Sequence, residues 1–281
     1  MAPTAVEFHR KFPDIEGRLK EIDKTAALVG PFRKLRGETN AEGIDLIMMD
    51  RAVTDLPEMQ TFFNCSSGRY AFWRDTPQQK HPLVVFVDLK TVPEVTMIGN
   101  ELEHAILDFC DRSVGFGINT RSAKESKLAV FPEGTTVIFA EKQKMARAAA
   151  RQRRKSCIGG ELGVGRVPLE IDNMKFSYGP LSQVTSETEM LLRCLKLVRI
   201  AEEERKVGVI VSRLYKEAMQ RVAEGYLGYA LELGYLLFLG NQPTIFEPMC
   251  LILHQVYTKL GRFDNIEILK LTLEQRELNS F

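Results

Sequence analysis

Several features that announce a function are scarce or missing in this sequence. Charge of one sign is the first. Of 281 residues 38 are Lys or Arg and 37 are Asp or Glu, a formal net charge of +1. A chain so balanced has no global field drawing it to nucleic acid or an anionic membrane. Cysteine is sparse, at Cys65, Cys110, Cys157, Cys194 and Cys250, odd in number and far apart. That is neither a disulfide framework nor a metal-ligand spacing, and it suits a reducing compartment. Long apolar runs are absent. The greasiest stretch, Tyr226 to Leu239, is interrupted by Glu232 and falls short of the roughly 20 residues that span a bilayer. The opening MAPTAVEFHRKF has no apolar core of signal-peptide type. The four histidines, His9, His81, His104 and His254, stand apart from the cysteines, so no zinc site or other cofactor is expected. The expected compartment is the cytoplasm, with nuclear entry open.

What is present is an ordinary globular composition, 44% hydrophobic and 27% charged, which excludes long disorder. Ile15, Leu19, Ile22, Ala26 and Val29 recur at helical spacing behind Asp14, and Gly30-Pro31 ends the stripe. Ile44 to Met49, Leu83 to Leu89, Val92 to Ile98 and Thr135 to Phe139 read as strands, short and rich in Val and Ile. Leu83 to Val87 is apolar without alternation, which predicts a strand covered on both faces. Asn100 and Glu103 form a capping pair for a helix running to about Arg112. Phe62, Phe63, Tyr70, Phe72 and Trp73 are the densest aromatic group. They are expected to fill the first core, an interface anchor being the alternative.

Beyond about Tyr178 no strand is expected. Ser186 and Glu189 make a capping box, and a second helical pattern runs from Val209 to Leu239. Gly225, Gly228 and Gly234 inside it mark a kink or a close helix approach. Phe246 to Leu260 is a further helix, and Asp264 with Glu267 caps a last one ending near Leu278. The segment from Val256 to Asn265 resembles the inter-helix turn of a tetratricopeptide repeat, without a copy upstream, so it reads as an ordinary helical hairpin. The expected fold is α+β. A mixed part over residues 1–181 carries the N-terminal and basic helices, and an all-helical part follows over 182–281.

One local charge anomaly stands out. Lys142, Lys144, Arg147, Arg151, Arg153, Arg154 and Lys155 put seven cations into fourteen residues with no acid among them. Ala, Gln and Met between them favour a helix. On it Lys144, Arg147, Arg151, Arg154 and Lys155 share one face. A cationic stripe suits a phosphate backbone, whose counterions it releases, and equally a nuclear import address or an acidic protein. No aromatic lies inside the stripe, so base stacking is not built in. The glycines at 159, 160, 163 and 165 follow, then Arg166, which would extend the positive surface. No GK[ST] follows them, so they are not a nucleotide loop.

Phe131-Pro132-Glu133-Gly134-Thr135 resembles the FPEGT box of the glycerolphosphate acyltransferases, although Thr136 stands where that family has a basic residue. The resemblance implies a histidine base and an orienting carboxylate, here His104 and Asp108, one residue closer in sequence than the family's pair. The carboxylates Asp108 and Asp111 otherwise suit a solvated helix face. The leading expectation is a non-enzymatic assembly or scaffold protein, without catalytic residues. It would contact RNA, DNA or another polyanion through Lys142 to Lys155 and Arg166, resembling nucleocapsid proteins by analogy only. The alternative is a protein–protein adaptor with a helical C-terminal interaction domain, and a remote third is an acyltransferase-like enzyme. A homo-oligomer or a protein partner is expected. The N-terminal helix, the aromatic group and the face from Tyr226 to Tyr235 are the candidate self-association surfaces.

Overall fold

The computed structural model describes residues 3–88, 95–131, 135–156, 204–240 and 246–278. It divides into two compact units. The first is Met1–Ala52 with Glu58–Gln152, and the second is Val53–Pro57 with Arg153–Phe281. The first is mixed and the second helical, as the α+β reading expects. The expected boundary at residue 181 lies outside the described residues, as do the capping box at Ser186 and the glycine loop.

In the first unit the helices α1 (Pro3–Lys11) and α2 (Ile15–Lys20) come first. The stripe that promised one helix to Val29 is cut short. Asp23 accepts hydrogen bonds from the Thr25 amide at 2.9 Å and hydroxyl at 2.7 Å, a local turn that competes with the helix. Asp14 makes no side-chain capping bond. Ile15, Leu19, Ile22 and Ala26 are nonetheless all buried. The short strand β1 (Ala27–Leu28) follows, and Gly30-Pro31 opens a new helix, α3 (Pro31–Leu35), as well as ending the stripe.

Residues Ile44 to Met49 are not a strand. They lie largely in the helix α4 (Gly43–Met48), where Leu46 is the buried residue. A six-residue apolar run without strict alternation fits either element, and Asp45 in the first turn suits the helix N-terminus.

The sheet is an antiparallel meander. Its order is β1, β2 (Met59–Cys65), β3 (Gly68–Trp73), β4 (Leu83–Asp88) and β5 (Val95–Gly99). The hairpin β2–β3 pairs Met59 with Trp73 and Cys65 with Gly68, and its register shifts between Thr61 and Phe63. Such a shift re-aims side chains, and the consecutive Phe62 and Phe63 both enter the main core cluster. Val84 to Val87 of β4 are buried throughout, as a strand covered on both faces requires. The aromatic group is core: Phe62, Phe63, Tyr70, Phe72 and Trp73 are at most 2% exposed, so none is an interface anchor.

The helix α5 (Leu102–Gly115) packs on β4 and β5. Glu101 occupies its N-cap without a side-chain capping bond, and the expected Asn100–Glu103 pair does not form. Glu103 faces Lys11 at 3.7 Å instead. The helix α6 (Ala123–Val130) has a capping box between Ser122 and Glu125. The helix α7 (Thr135–Ser156) follows and carries the first unit to its end at Gln152, so the strand expected over Thr135 to Phe139 is its first turn and a half. Val137 and Ile138 are 65% and 56% exposed there, not paired in a sheet. Strong helix formers carry the helix on from Ala140.

The described residues of the second unit form the helices α8 (Glu204–Glu224), α9 (Leu227–Gly240), α10 (Phe246–Lys259) and α11 (Phe263–Leu278). Gly225, at φ +89°, separates the first two, where glycine alone adopts that conformation freely. A Cβ on Gly234 would lie 2.5 Å from Leu253 Cδ2, so kink and close approach both occur. The helix α11 begins at Phe263, one residue before the expected cap. Asp264 sits in its first turn, where a carboxylate suits the dipole. The hairpin α10–α11 turns at Gly261, φ +67°. Between Tyr226 and Tyr235, Leu227, Ala230, Leu231, Leu233 and Tyr235 are buried while Tyr226 is exposed, so most of that stretch belongs to the core. Ala5 and Phe8 of α1, and Phe12 just after it, are buried too. No helix among the described residues is long and apolar enough to cross a membrane.

Candidate functional site

The helix α7 has two unlike faces. Phe139, Gln143, Ala146 and Ala150 recur at intervals of four, three and four, and all are buried. Val137, Ala140, Lys144, Arg147 and Arg151 recur at three, four, three and four on another face, and all are exposed. Helical periodicity alone separates the two sets. Along the exposed face the first turns are apolar and the later ones cationic.

The cations are only partly neutralised. Lys142 lies 3.1 Å from Glu101, and Arg147 lies 3.6 Å from Asp111, both pairs well exposed. Exposed pairs of this kind hold little free energy. Lys144 and Arg151 enter no ion pair among the described residues. Arg153, Arg154 and Lys155 belong to the last turns of α7, but their side chains lie outside the described residues, as does Arg166. The structure thus gathers Lys144, Arg147 and Arg151 on one face, as the sequence pattern predicts, and sets Lys142 apart beside Glu101.

Beside this face runs a groove of about 510 Å³ between α6 and α7. Leu128, Val137 and Ala140 supply its apolar lining, while Lys124, Lys127, Lys144 and Glu141 supply the charged groups. Leu128 is 38% exposed. Lys127 reaches Asp111 at 2.6 Å. None of the groove's α6 residues stood out in the sequence. A continuous helical reading from Thr135 would have put Val137 and Ala140 in line with Lys144. The β-branched character of Thr135 to Ile138 masked it.

The residues that an acyltransferase would need do not form its machinery. Asp108 is buried, contrary to a solvated face. It accepts from the Tyr70 hydroxyl at 3.0 Å and from Arg112 Nε at 2.5 Å. His104 is buried beside Gly99 and Ala146, and neither ring nitrogen has a hydrogen-bond partner among the described residues. Burial holds its pKa below the usual 6.5, with Lys142 acting the same way and Glu101 opposing. A base must be oriented by its carboxylate to act, and Asp108 is committed elsewhere. Glu133 lies outside the described residues.

The described residues of this region thus offer an exposed helix face and a groove, and His104 and Asp108 form no catalytic pair. The family model for histone PARylation factor 1 matches residues 1–276, and the chain belongs to that family. The match favours the protein-interaction reading over the nucleic-acid scaffold, which nothing here supports.

Proposed function

We propose that this chain is an accessory factor in the poly(ADP-ribosyl)ation of histones. It works by binding a poly(ADP-ribose) polymerase rather than by transferring ADP-ribose on its own. The observation that supports the reading is the extent of the family match, residues 1–276 of 281, which takes in both compact units rather than one shared module. A factor that redirects another enzyme's product must be held against that enzyme or its substrate. The chain therefore needs protein-contact surface more than it needs a reaction centre. Histones being the target, the place of action is the nucleus.

Under this reading the cations Lys142, Lys144, Arg147, Arg151, Arg153, Arg154, Lys155 and Arg166 serve contact with an acidic protein surface. The test is reconstitution with a purified polymerase, NAD+, histones and this chain. Adding the chain should raise the ADP-ribose carried by histones, and the chain should co-elute with the polymerase. Alone with NAD+ and histones it should transfer nothing. No change in histone modification overturns the reading, and transfer by the chain alone overturns its accessory part.

A further inference from the structure

We propose that the groove between α6 and α7 docks an amphipathic segment of a protein partner, one whose apolar side chains are flanked by Asp and Glu. The inference rests on the reading of this chain as a protein-binding factor but on no particular enzyme. Two observations carry it together. The first is the apolar lining. Leu128 of α6 and Val137 of α7, at 38% and 65% exposure, line the groove of about 510 Å³ together with Ala140. Apolar side chains left open beside charged ones give a partner segment both anchors and a polar rim.

The second is the charge around it. Lys124, Lys127 and Lys144 line the groove, and Arg147 and Arg151 continue the face along α7. Against these five stand Glu141 and Asp111. Asp111 is already held by Lys127 at 2.6 Å and Arg147 at 3.6 Å. Lys124, Lys144 and Arg151 enter no ion pair among the described residues. The net field at the groove is positive, so a basic segment such as a histone tail is repelled and an acidic one attracted.

The same pairing of features decides between a peptide and a nucleic acid. A phosphate chain would use Lys144, Arg147 and Arg151 but would leave Leu128 and Val137 facing water. An amphipathic acidic helix uses both, laying apolar anchors on the lining and carboxylates along the rim. Val137, Ala140 and Lys144 lie at i, i+3 and i+7, so one partner helix running along α7 would meet the apolar lining and the cations in succession.

The test is selection from a peptide display library on the immobilised full-length chain, repeated on Val137→Glu and Lys144→Glu. Both positions are exposed, and circular dichroism with a thermal melt checks that the variants fold as the wild type does. Peptides with apolar residues at helical spacing between Asp and Glu should be enriched on the wild type. Synthesised and measured by fluorescence anisotropy, the best of them should lose roughly tenfold or more in affinity on either variant. Changing the peptide's acids to Lys should abolish binding.

Enrichment of basic peptides, of none, or of the same peptides on wild type and Val137→Glu overturns the proposal. So does binding of single-stranded RNA or poly(ADP-ribose) that Lys144→Glu removes and Val137→Glu spares, for the face would then be a polyanion surface. The selection contains no polymerase, NAD+ or histone. Its failure would leave the accessory reading standing, and failure of the reconstitution would leave the groove's ligand standing.

Discussion

The hydroxyl of Tyr70 donates to the carboxylate of Asp108 at 3.0 Å, tying the central strand β3 to the helix α5. Arg112 donates to the same oxygen at 2.5 Å, and its guanidinium lies 3.9 Å from the centre of the Phe86 ring. Burial, then the neighbouring carboxylate, pushes the Tyr70 phenol well above its ordinary pKa of 10. The three groups act as one buried polar unit inside an aromatic core. Tyr70→Phe removes one neutral donor and leaves Asp108 with Arg112, so it should cost about 1 kcal/mol. Asp108→Ala strips the acceptor from both donors and should cost about 2–3 kcal/mol. Urea unfolding measures both, and an Asp108→Ala midpoint equal to wild type would refute the account.

A second carboxylate supports the fold by local means. Asp23 accepts from the amide and hydroxyl of Thr25, and from those of Ser66 at 2.8 and 2.7 Å. It thereby clips the loop after α2 to the turn between β2 and β3. Burial alone would raise the carboxyl's pKa. The bonds from Ser66 and Thr25 outweigh it and hold the pKa below 3.8. A group depressed in the folded state contributes stability above its unfolded pKa and loses it as pH falls through the folded value. That contribution is therefore intact at neutral pH and begins to be lost as pH falls below about 3.8. Asp23→Asn should lower stability near pH 7 by about 2 kcal/mol. The gap to wild type should narrow in acid denaturation profiles as pH drops toward 3.

His104 gives a slope of the same sign in a higher pH window. Its imidazole is buried without hydrogen-bond partners among the described residues, and burial holds its pKa below 6.5. Below pH 6.5 the unfolded chain takes up a proton that the folded chain refuses. Stability must then fall with pH until the folded pKa is reached. His104→Leu removes the titration and the two unpaired nitrogens. Relative to wild type it should gain stability steadily between about pH 6.5 and pH 5. Parallel stability curves for the two proteins across that range would contradict it.

How much of this was legible in the sequence follows from where the determining contacts lie. The strand at Leu83 to Asp88 could be read because its burial is written locally, as an apolar run without alternation. The basic helix could be read for the same reason. Ile15, Leu19, Ile22 and Ala26 were correctly placed inside, yet the helix they implied was cut by Asp23, whose partner Ser66 lies 43 residues away. The strands β2 and β3 lacked the alternation that signals a sheet, since β3 is buried on both faces and β2 shifts register near Phe62. Thr135 to Phe139 looked like a strand by residue type, and only the continuation through Ala140 and beyond makes it helical. The α6–α7 groove needs two helices to exist at all, so no single stretch of sequence encodes it. No spaced residue motif disclosed the family, whose match extends over residues 1–276 rather than resting on a short signature.

Two helical glycines in the second unit separate propensity from packing. Gly208 lies in α8 with no atom within 4 Å of where a Cβ would be. Gly234 lies in α9, where a Cβ would meet Leu253 Cδ2 at 2.5 Å and Cγ at 2.9 Å. Leu253 is wholly buried on α10, with Ile252 beside it, so its side chain has little room to withdraw. Alanine at either site gains up to about 1 kcal/mol of helix propensity. At Gly208 nothing opposes that gain, and Gly208→Ala should raise the stability of the unit by about 0.5–1 kcal/mol. At Gly234 the overpacking penalty, about 1–3 kcal/mol, exceeds it, so Gly234→Ala should lower stability. Adding Leu253→Ala to Gly234→Ala should cost less than Leu253→Ala alone, because the new methyl fills part of the space the leucine leaves. Thermal denaturation of the four variants decides the matter. If Gly234→Ala stabilises as much as Gly208→Ala does, the close approach of α9 and α10 is not what fixes glycine there.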